Sequence, residues 1–192
     1  MSTIKVDAIQ GTSGTSTAIT LSGDTATFAK TPSGNLIGEV DQFRLTTNIT
    51  NGQSNYITSN LERVDNAAFS KIGTGMSESS GTFTFPRTGL YRIGVVAHIY
   101  IPDSNDGAAG VDTYFSDDNF STTQQMATAW AGDNDGSGQW YGTHSSECFV
   151  NISNISTMKI RFATTSMSDS ILVGSTSVNQ TTFSFIRLGE SQ

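Results

Sequence analysis

Two histidines, His98 and His144, and a single cysteine, Cys148, are the side chains best suited to metal ligation or nucleophilic chemistry. His144 and Cys148 stand four apart in GQWYGTHSSECFVNI, a segment that reads as a strand. At a rise of about 3.3 Å per residue they share a face yet lie roughly 13 Å apart, too far to close on one zinc ion. Cys148 sits between Glu147 and Phe149, without the electropositive surroundings that activate a thiol. No histidine falls into a recognisable arrangement with a nucleophile and an acid. Glu62, Glu78 and Glu147 are scattered, so nothing local pairs two carboxylates as a glycosidase requires. The chain is not expected to be an enzyme.

Acids and aromatics gather elsewhere. Asp103, Asp106, Asp117 and Asp118 fall in polar turns, as does Asp133-Asn134-Asp135-Gly136. Oxygen ligands on a glycine-containing turn could hold calcium, but the twelve-residue loop with its terminal glutamate is missing. No metal is expected, and calcium is the alternative. Trp130, Trp140 and Tyr141 flank the second acidic loop. Rings beside acids and amides suit a sugar, whose apolar face stacks while its hydroxyls find polar partners. The competing reading packs both tryptophans in the core. Any ligand or receptor contact is therefore expected at Asp103, Asp106, Asp133, Asp135, Trp140 and Tyr141, on loops that a rigid scaffold must carry.

The scaffold is legible in composition and period. The 192 residues include 26 Ser, 27 Thr and 19 Gly, with 14% charged residues and 3 Pro. Small and β-branched residues at this density favour strands and turns over long helices. Eleven Phe, five Tyr and two Trp supply core mass. A net charge of -7 disfavours nucleic acid as a partner. No run approaches a membrane span, and MSTIKVDAIQ lacks the basic and apolar regions of a secretory signal, so neither insertion nor export is expected.

In GTFTFPRTGLYRIGVVAHIYI, Phe83 and Phe85 alternate before a turn at Pro86 to Gly89. Residues 90–101 then form a long strand. Tyr91, Ile93, Val95, Ala97, Ile99 and Ile101 make its core face, while Leu90, Arg92, Gly94, Val96, His98 and Tyr100 share the other. DQFRLTTNIT and SNYITSNLERV precede it; VDTYFS, QQMATAWAG, GQWYGTHSSECFVNI, TMKIRFATT, SILVGST and TTFSFIRLG follow. LERVDNAAFSKI could imitate a helical turn or two. Eight or nine strands at this spacing predict an all-β sandwich. Residues 1–35 stand apart as an N-terminal β-rich arm, with Ile4, Val6 and Ile9 in one short strand and AITLSGDTATFA split at Gly23-Asp24. Such strands bury little alone, so the arm is either frayed or ordered against another copy or another protein.

The spacing Gly81-x-Phe83-x-x-Pro86-x-x-Gly89-x-Tyr91 resembles the central signature of C1q-like and tumour-necrosis-factor-like jelly rolls. SILVGSTSVNQTTFSFIRLG resembles the last two strands of that family, and Ala68-Phe69-Ser70 its early strand. The likeness spans about residues 38–192, firm over 81–101 and 170–188 and faint between. STIKVDAIQGTSG and NLERVDNAAFSKIGTGMSESSGTFTFPRTGLYRI resemble marine bacteriophage and cyanophage tail fibre-like structural proteins. Unlike animal C1q proteins, the chain has no collagen-like Gly-X-Y tract.

These resemblances imply a jelly-roll domain over 36–192 that assembles as a homotrimer, with His98, Tyr100, Phe183 and Phe185 at the interface. They imply a structural virion protein, made in the host cytoplasm and displayed on the particle surface. The arm, through Ile4, Val6 and Ile9, would anchor it to other virion proteins. Its role would be a tail fibre or fibre tip contacting a host surface glycan or protein; the alternative is a capsid decoration protein or short head fibre.

Overall fold

The computed structural model describes residues 8–10, 17–22, 25–28, 37–50, 55–102, 106–132 and 139–192. The chain divides into two units, Met1–Leu36 and Ile37–Gln192. In the first, β1 (Ala8–Gln10), β2 (Thr17–Ser22) and β3 (Thr25–Phe28) pair antiparallel in that order. Ile9 pairs with Ile19, and Ile19 with Phe28. Ile4 and Val6 lie outside the described residues.

The second unit has no helix among its described residues. Its first strands are β4 (Glu39–Leu45), β5 (Ile49–Thr50), β6 (Leu61–Arg63), β7 (Ser77–Ser79) and β8 (Thr82–Thr84). The long strands follow: β9 (Gly89–Ile101), β10 (Ala108–Ser116), β11 (Gln124–Gly132) and β12 (Trp140–Ile152). Then come β13 (Lys159–Thr165), β14 (Ile171–Leu172) and β15 (Thr182–Gly189). One sheet runs β5-β14-β9-β15-β4-β6, with β12 on β9; the other runs β11-β10-β13-β8-β7. This is the all-β sandwich that the strand spacing predicts, in the jelly-roll form that the resemblance implies. Where LERVDNAAFSKI could have imitated a helix, β6 leads into a turn in which the Phe69 N–H donates to the Asn66 carbonyl.

The core lies between the sheets. On β9 the inward set runs from Tyr91 to Ile101 at every second residue, each no more than 1% exposed. Phe43, Phe183 and Phe185 from one sheet meet Phe83 and Phe162 from the other. Centroids are 5.0 Å apart for Phe43–Phe83 and 4.3 Å for Phe162–Phe183. Burying each such ring contributes about 1.5–3 kcal/mol. Phe183 and Phe185 are thus interior residues rather than interface residues. Their inward register on β15 commits them to the protomer's own core.

The two glycines of the signature have distinct structural reasons. Gly81 adopts φ +79, and a Cβ there would stand 2.1 Å from the Ile57 carbonyl oxygen. Gly89 adopts φ +149, with the Gly189 carbonyl 2.5 Å from the same imagined atom. A side chain at either position meets both unfavourable backbone torsion and fixed backbone atoms. Tyr91 closes the motif: its ring packs on Phe85 at 4.7 Å and its hydroxyl donates to the Arg87 carbonyl at 2.9 Å. Burial pushes its pKa up to about 12.

Candidate self-association face

Period-two geometry leaves the outer face of β9 and its neighbours with a second apolar surface. β12 pairs with β9 along its whole length, from Trp140↔Ile101 to Ile152↔Gly89. Tyr141, Thr143, Ser145, Glu147 and Phe149 on β12 therefore stand beside Tyr100, His98, Val96, Gly94 and Arg92 on β9. β15 and β4 extend the face with Ile186 and Val40, which are paired with each other. Tyr141 is 61% exposed, Phe149 54% and Val96 37%. These three are spaced along the face between rows of Thr143 with His98 and Glu147 with Gly94, so apolar and polar positions alternate there.

The aromatic end of this face is ordered. The Tyr141 ring stacks on Tyr100 at 4.4 Å and on His98 at 6.0 Å. His98 Nδ1 lies 2.7 Å from the Thr143 hydroxyl, which fixes the imidazole beside the tyrosines. At the other end Arg92 Nε donates to Glu147 Oε2 at 2.7 Å, and a second N–H of the same guanidinium donates to that same oxygen. Between the two ends, Gly94 leaves room for the Ser184 hydroxyl, which donates to its carbonyl at 3.3 Å. The face carries rings, a flat centre and one matched ion pair. That is binding chemistry, with no nucleophile held against a base.

His98 and Tyr100 stand on this face, as the alternation of residues 90–101 requires. Tyr141 joins them instead of a separate ligand loop. Trp140 does not share its surroundings: the next residue of a strand faces the other way, and its ring packs inward beside His144 at 5.8 Å. The pairing of Trp140 with Tyr141 in one contact site therefore fails. Asp106 is also corrected, because it is 4% exposed and its carboxylate is fully engaged. It accepts from the backbone N–H groups of Ser168, Asp169 and Ser170 at 2.7–2.9 Å, and from the Ser170 hydroxyl at 2.6 Å. Burial pushes the Asp106 carboxyl up, and these hydrogen bonds outweigh it, leaving its pKa below the ordinary value. Asp103, Asp133 and Asp135 lie outside the described residues.

Cys148 is buried, and desolvation with the nearby Glu147 charge pushes its thiol up to about 11. Among the described residues no three His, Cys, Asp or Glu side chains stand close enough to hold a metal. Sequence reasoning placed Arg92 on this face through the alternation of residues 90–101 but missed Phe149 and Glu147 as its members. The signal was present in GQWYGTHSSECFVNI, where every second residue from Tyr141 falls on one side, but nothing there says which side lacks a cover.

No family model matches the sequence, and no curated protein does either. Solved structures do match in shape. The structure of Eiger TNF from S. frugiperda superposes with a TM-score of 0.60 at 11% identity, over 80% of this chain and 94% of that one. Murine APRIL at pH 5.0 gives 0.56 at 11% identity, over 78% of this chain and 98% of that one. The fold is a tumour-necrosis-factor-like jelly roll. At this identity the likeness concerns fold alone, so the function of this jelly roll has to be argued from its own faces.

Proposed function

We propose that this jelly roll is a homotrimeric structural protein displayed on a tailed-bacteriophage particle, as a tail fibre or fibre tip that contacts the host surface. The observation that carries the trimer is the exposure of Val96, Tyr141 and Phe149 on one sheet face, with half-buried Tyr100 stacked under Tyr141, on a chain of net charge -7. Copies arranged around a closed axis would cover those side chains, which a solvated sheet face would not tolerate as well. The three-fold choice comes from the resemblance of Gly81 to Tyr91 to the C1q-like and tumour-necrosis-factor-like signature. The particle assignment comes from the opening STIKVDAIQGTSG and its likeness to phage structural proteins. A three-stranded unit as small as β1-β2-β3 buries little by itself, which supports a docking role on other virion proteins.

A capsid decoration protein or short head fibre is the second reading. It rests on the same small unit, since β1-β2-β3 would dock on a head protein as well as on a tail protein. The test is infection with phage encoding the chain with residues 1–35 deleted. The proposal expects folded protein in the lysate and none on purified particles. Normal incorporation of the truncated chain would contradict anchoring through the arm. Labelled full-length chain located on tails supports the fibre reading, and label over the head supports decoration.

A further inference from the structure

The opposite sheet carries a different kind of surface. On β10 and β13 the even and odd registers place Asp112 and Tyr114 beside Ala163 and Arg161 on the outer face. Tyr56 adds a ring by bridging to Ala163. Phe120 adds another from the turn after β10. The Arg161 guanidinium lies 4.0 Å over the Phe120 ring and 5.3 Å from that of Tyr56. Tyr56 meets Tyr114 edge-on at 5.6 Å and Phe120 at 6.2 Å. Arg161 Nε donates to the Thr82 hydroxyl at 2.9 Å, fixing the plane of the fork.

Arg161 is also set apart by charge. Arg44, Arg63, Arg87, Arg92 and Arg187 each lie against a carboxylate. Among the described residues Arg161 has no carboxylate in ion-pair range. In a protein with 17 acidic and 10 basic residues, an arginine held by rings and a hydroxyl keeps its fork for something else. Lys159, two residues along the same face, adds a second cation. The nearby acids are engaged: Asp112 accepts from Thr128 at 2.7 Å, and Asp118 from Ser116, the Thr122 N–H and the Thr122 hydroxyl at 2.8–2.9 Å.

The Phe120 ring is held by an unusual turn. Asn119 and Phe120 both adopt positive φ, 58 and 67, which is rare for residues other than glycine. Ser116 Oγ accepts from the Phe120 N–H at 2.7 Å, and the Asn119 N–H donates to the Thr157 carbonyl at 3.0 Å. Further along the same face Trp130 is 50% exposed and lies over Gly110, where a Cβ would stand 2.1 Å from its Cδ1. Gly110 and Tyr114 are four residues apart on β10, so the indole and the Arg161 cluster are separated by roughly 13 Å.

We propose that this face binds an acidic oligosaccharide. The Arg161 fork takes the anionic oxygen pair of one sugar residue, and Trp130 stacks on the ring of another. The chemistry that Arg161 recognises is a planar or tripodal oxyanion, carboxylate or sulfate. A saccharide fits better than an acidic peptide, because β10 and β13 are central strands whose backbone groups are already paired. A peptide laid across them would find no ladder to extend. The site lies on the sheet opposite the proposed self-association face, so it is testable whatever the oligomeric state.

The test is calorimetric titration of the full chain with four probes: a galacturonate hexamer, a sulfated dextran oligomer, a neutral dextran oligomer and a hexaglutamate peptide. At least one acidic saccharide should bind at least tenfold more tightly than both neutral dextran and peptide, and the tighter of the two identifies the anion. Arg161→Lys, which keeps the charge and loses the fork, should weaken that probe about tenfold, and Trp130→Ala similarly. Trp130 is half exposed, so its variant keeps the test valid if Arg161→Lys melts early. The proposal is overturned if no acidic saccharide binds at millimolar concentration, or if neutral dextran or hexaglutamate binds as tightly. It is equally overturned if the folded variants bind unchanged.

Discussion

The two outer faces of the sandwich have the same backbone geometry and opposite uses of charge. On the β9–β12 side, Arg92 is matched by Glu147, and the rest is rings, aliphatics and small neutral residues such as Thr143, Ser145 and Gly94. On the β10–β13 side, Arg161 lies on aromatic rings with no carboxylate in ion-pair range among the described residues. A self-matched, apolar face is suited to its own copies, since a symmetric contact brings no unpaired charge into the interface. A face with an uncommitted cation is suited to a ligand that brings the missing anion. The contrast comes from a few side chains on alternating positions rather than from any difference in architecture.

The strongest way to disturb that contrast is to remove what both faces stand on. Phe183 packs against Phe162 across the sheets, and Phe183→Ala should cost about 3–5 kcal/mol of stability. Thermal or urea unfolding would report it, and association and ligand binding should fall together. A more selective change is Phe149→Asp, which replaces an exposed ring of one face with a charge. Size-exclusion chromatography should show the assembly dissociating by tenfold or more in concentration. The melting of the protomer and the Arg161 site should remain as they were; loss of both faces at once would mean that they are not separable.

A smaller effect should come from Asp106, which ties the connection between β9 and β10 to that between β13 and β14. Both connections cross from one sheet to the other. Its pKa is depressed in the folded state, so its contribution is complete above the ordinary carboxylate value near pH 4. That contribution is lost as pH falls through the lower, folded value. Asp106→Asn should therefore cost about 1–2 kcal/mol near neutral pH and flatten the acid limb of stability against pH. Parallel acid limbs in variant and parent would show that the carboxylate does not supply this link.

The sandwich was legible because it repeats one simple rule. The apolar alternation from Tyr91 to Ile101 and the Gly81-to-Tyr91 spacing each specify local geometry that the structure contains. The faces were only half legible. His98 and Tyr100 follow from the same alternation, but Phe183 and Phe185 are equally aromatic and point inward, and sequence period alone does not say which side of β15 meets the second sheet. Asp106 reads as a surface turn acid until residues 168–170, far away in sequence, supply the N–H groups that bury it. The Arg161 cluster was invisible for the same reason: Tyr56, Thr82, Tyr114 and Phe120 come from four separate segments.

The most direct measurement is the solution mass of the full chain by light scattering, across a hundredfold range of concentration. Burial of the Val96, Tyr100, Tyr141 and Phe149 face between three copies predicts about 61 kDa, three times the chain mass of 20.4 kDa, sustained on dilution. A mass of one chain at every concentration would contradict the self-association of that face.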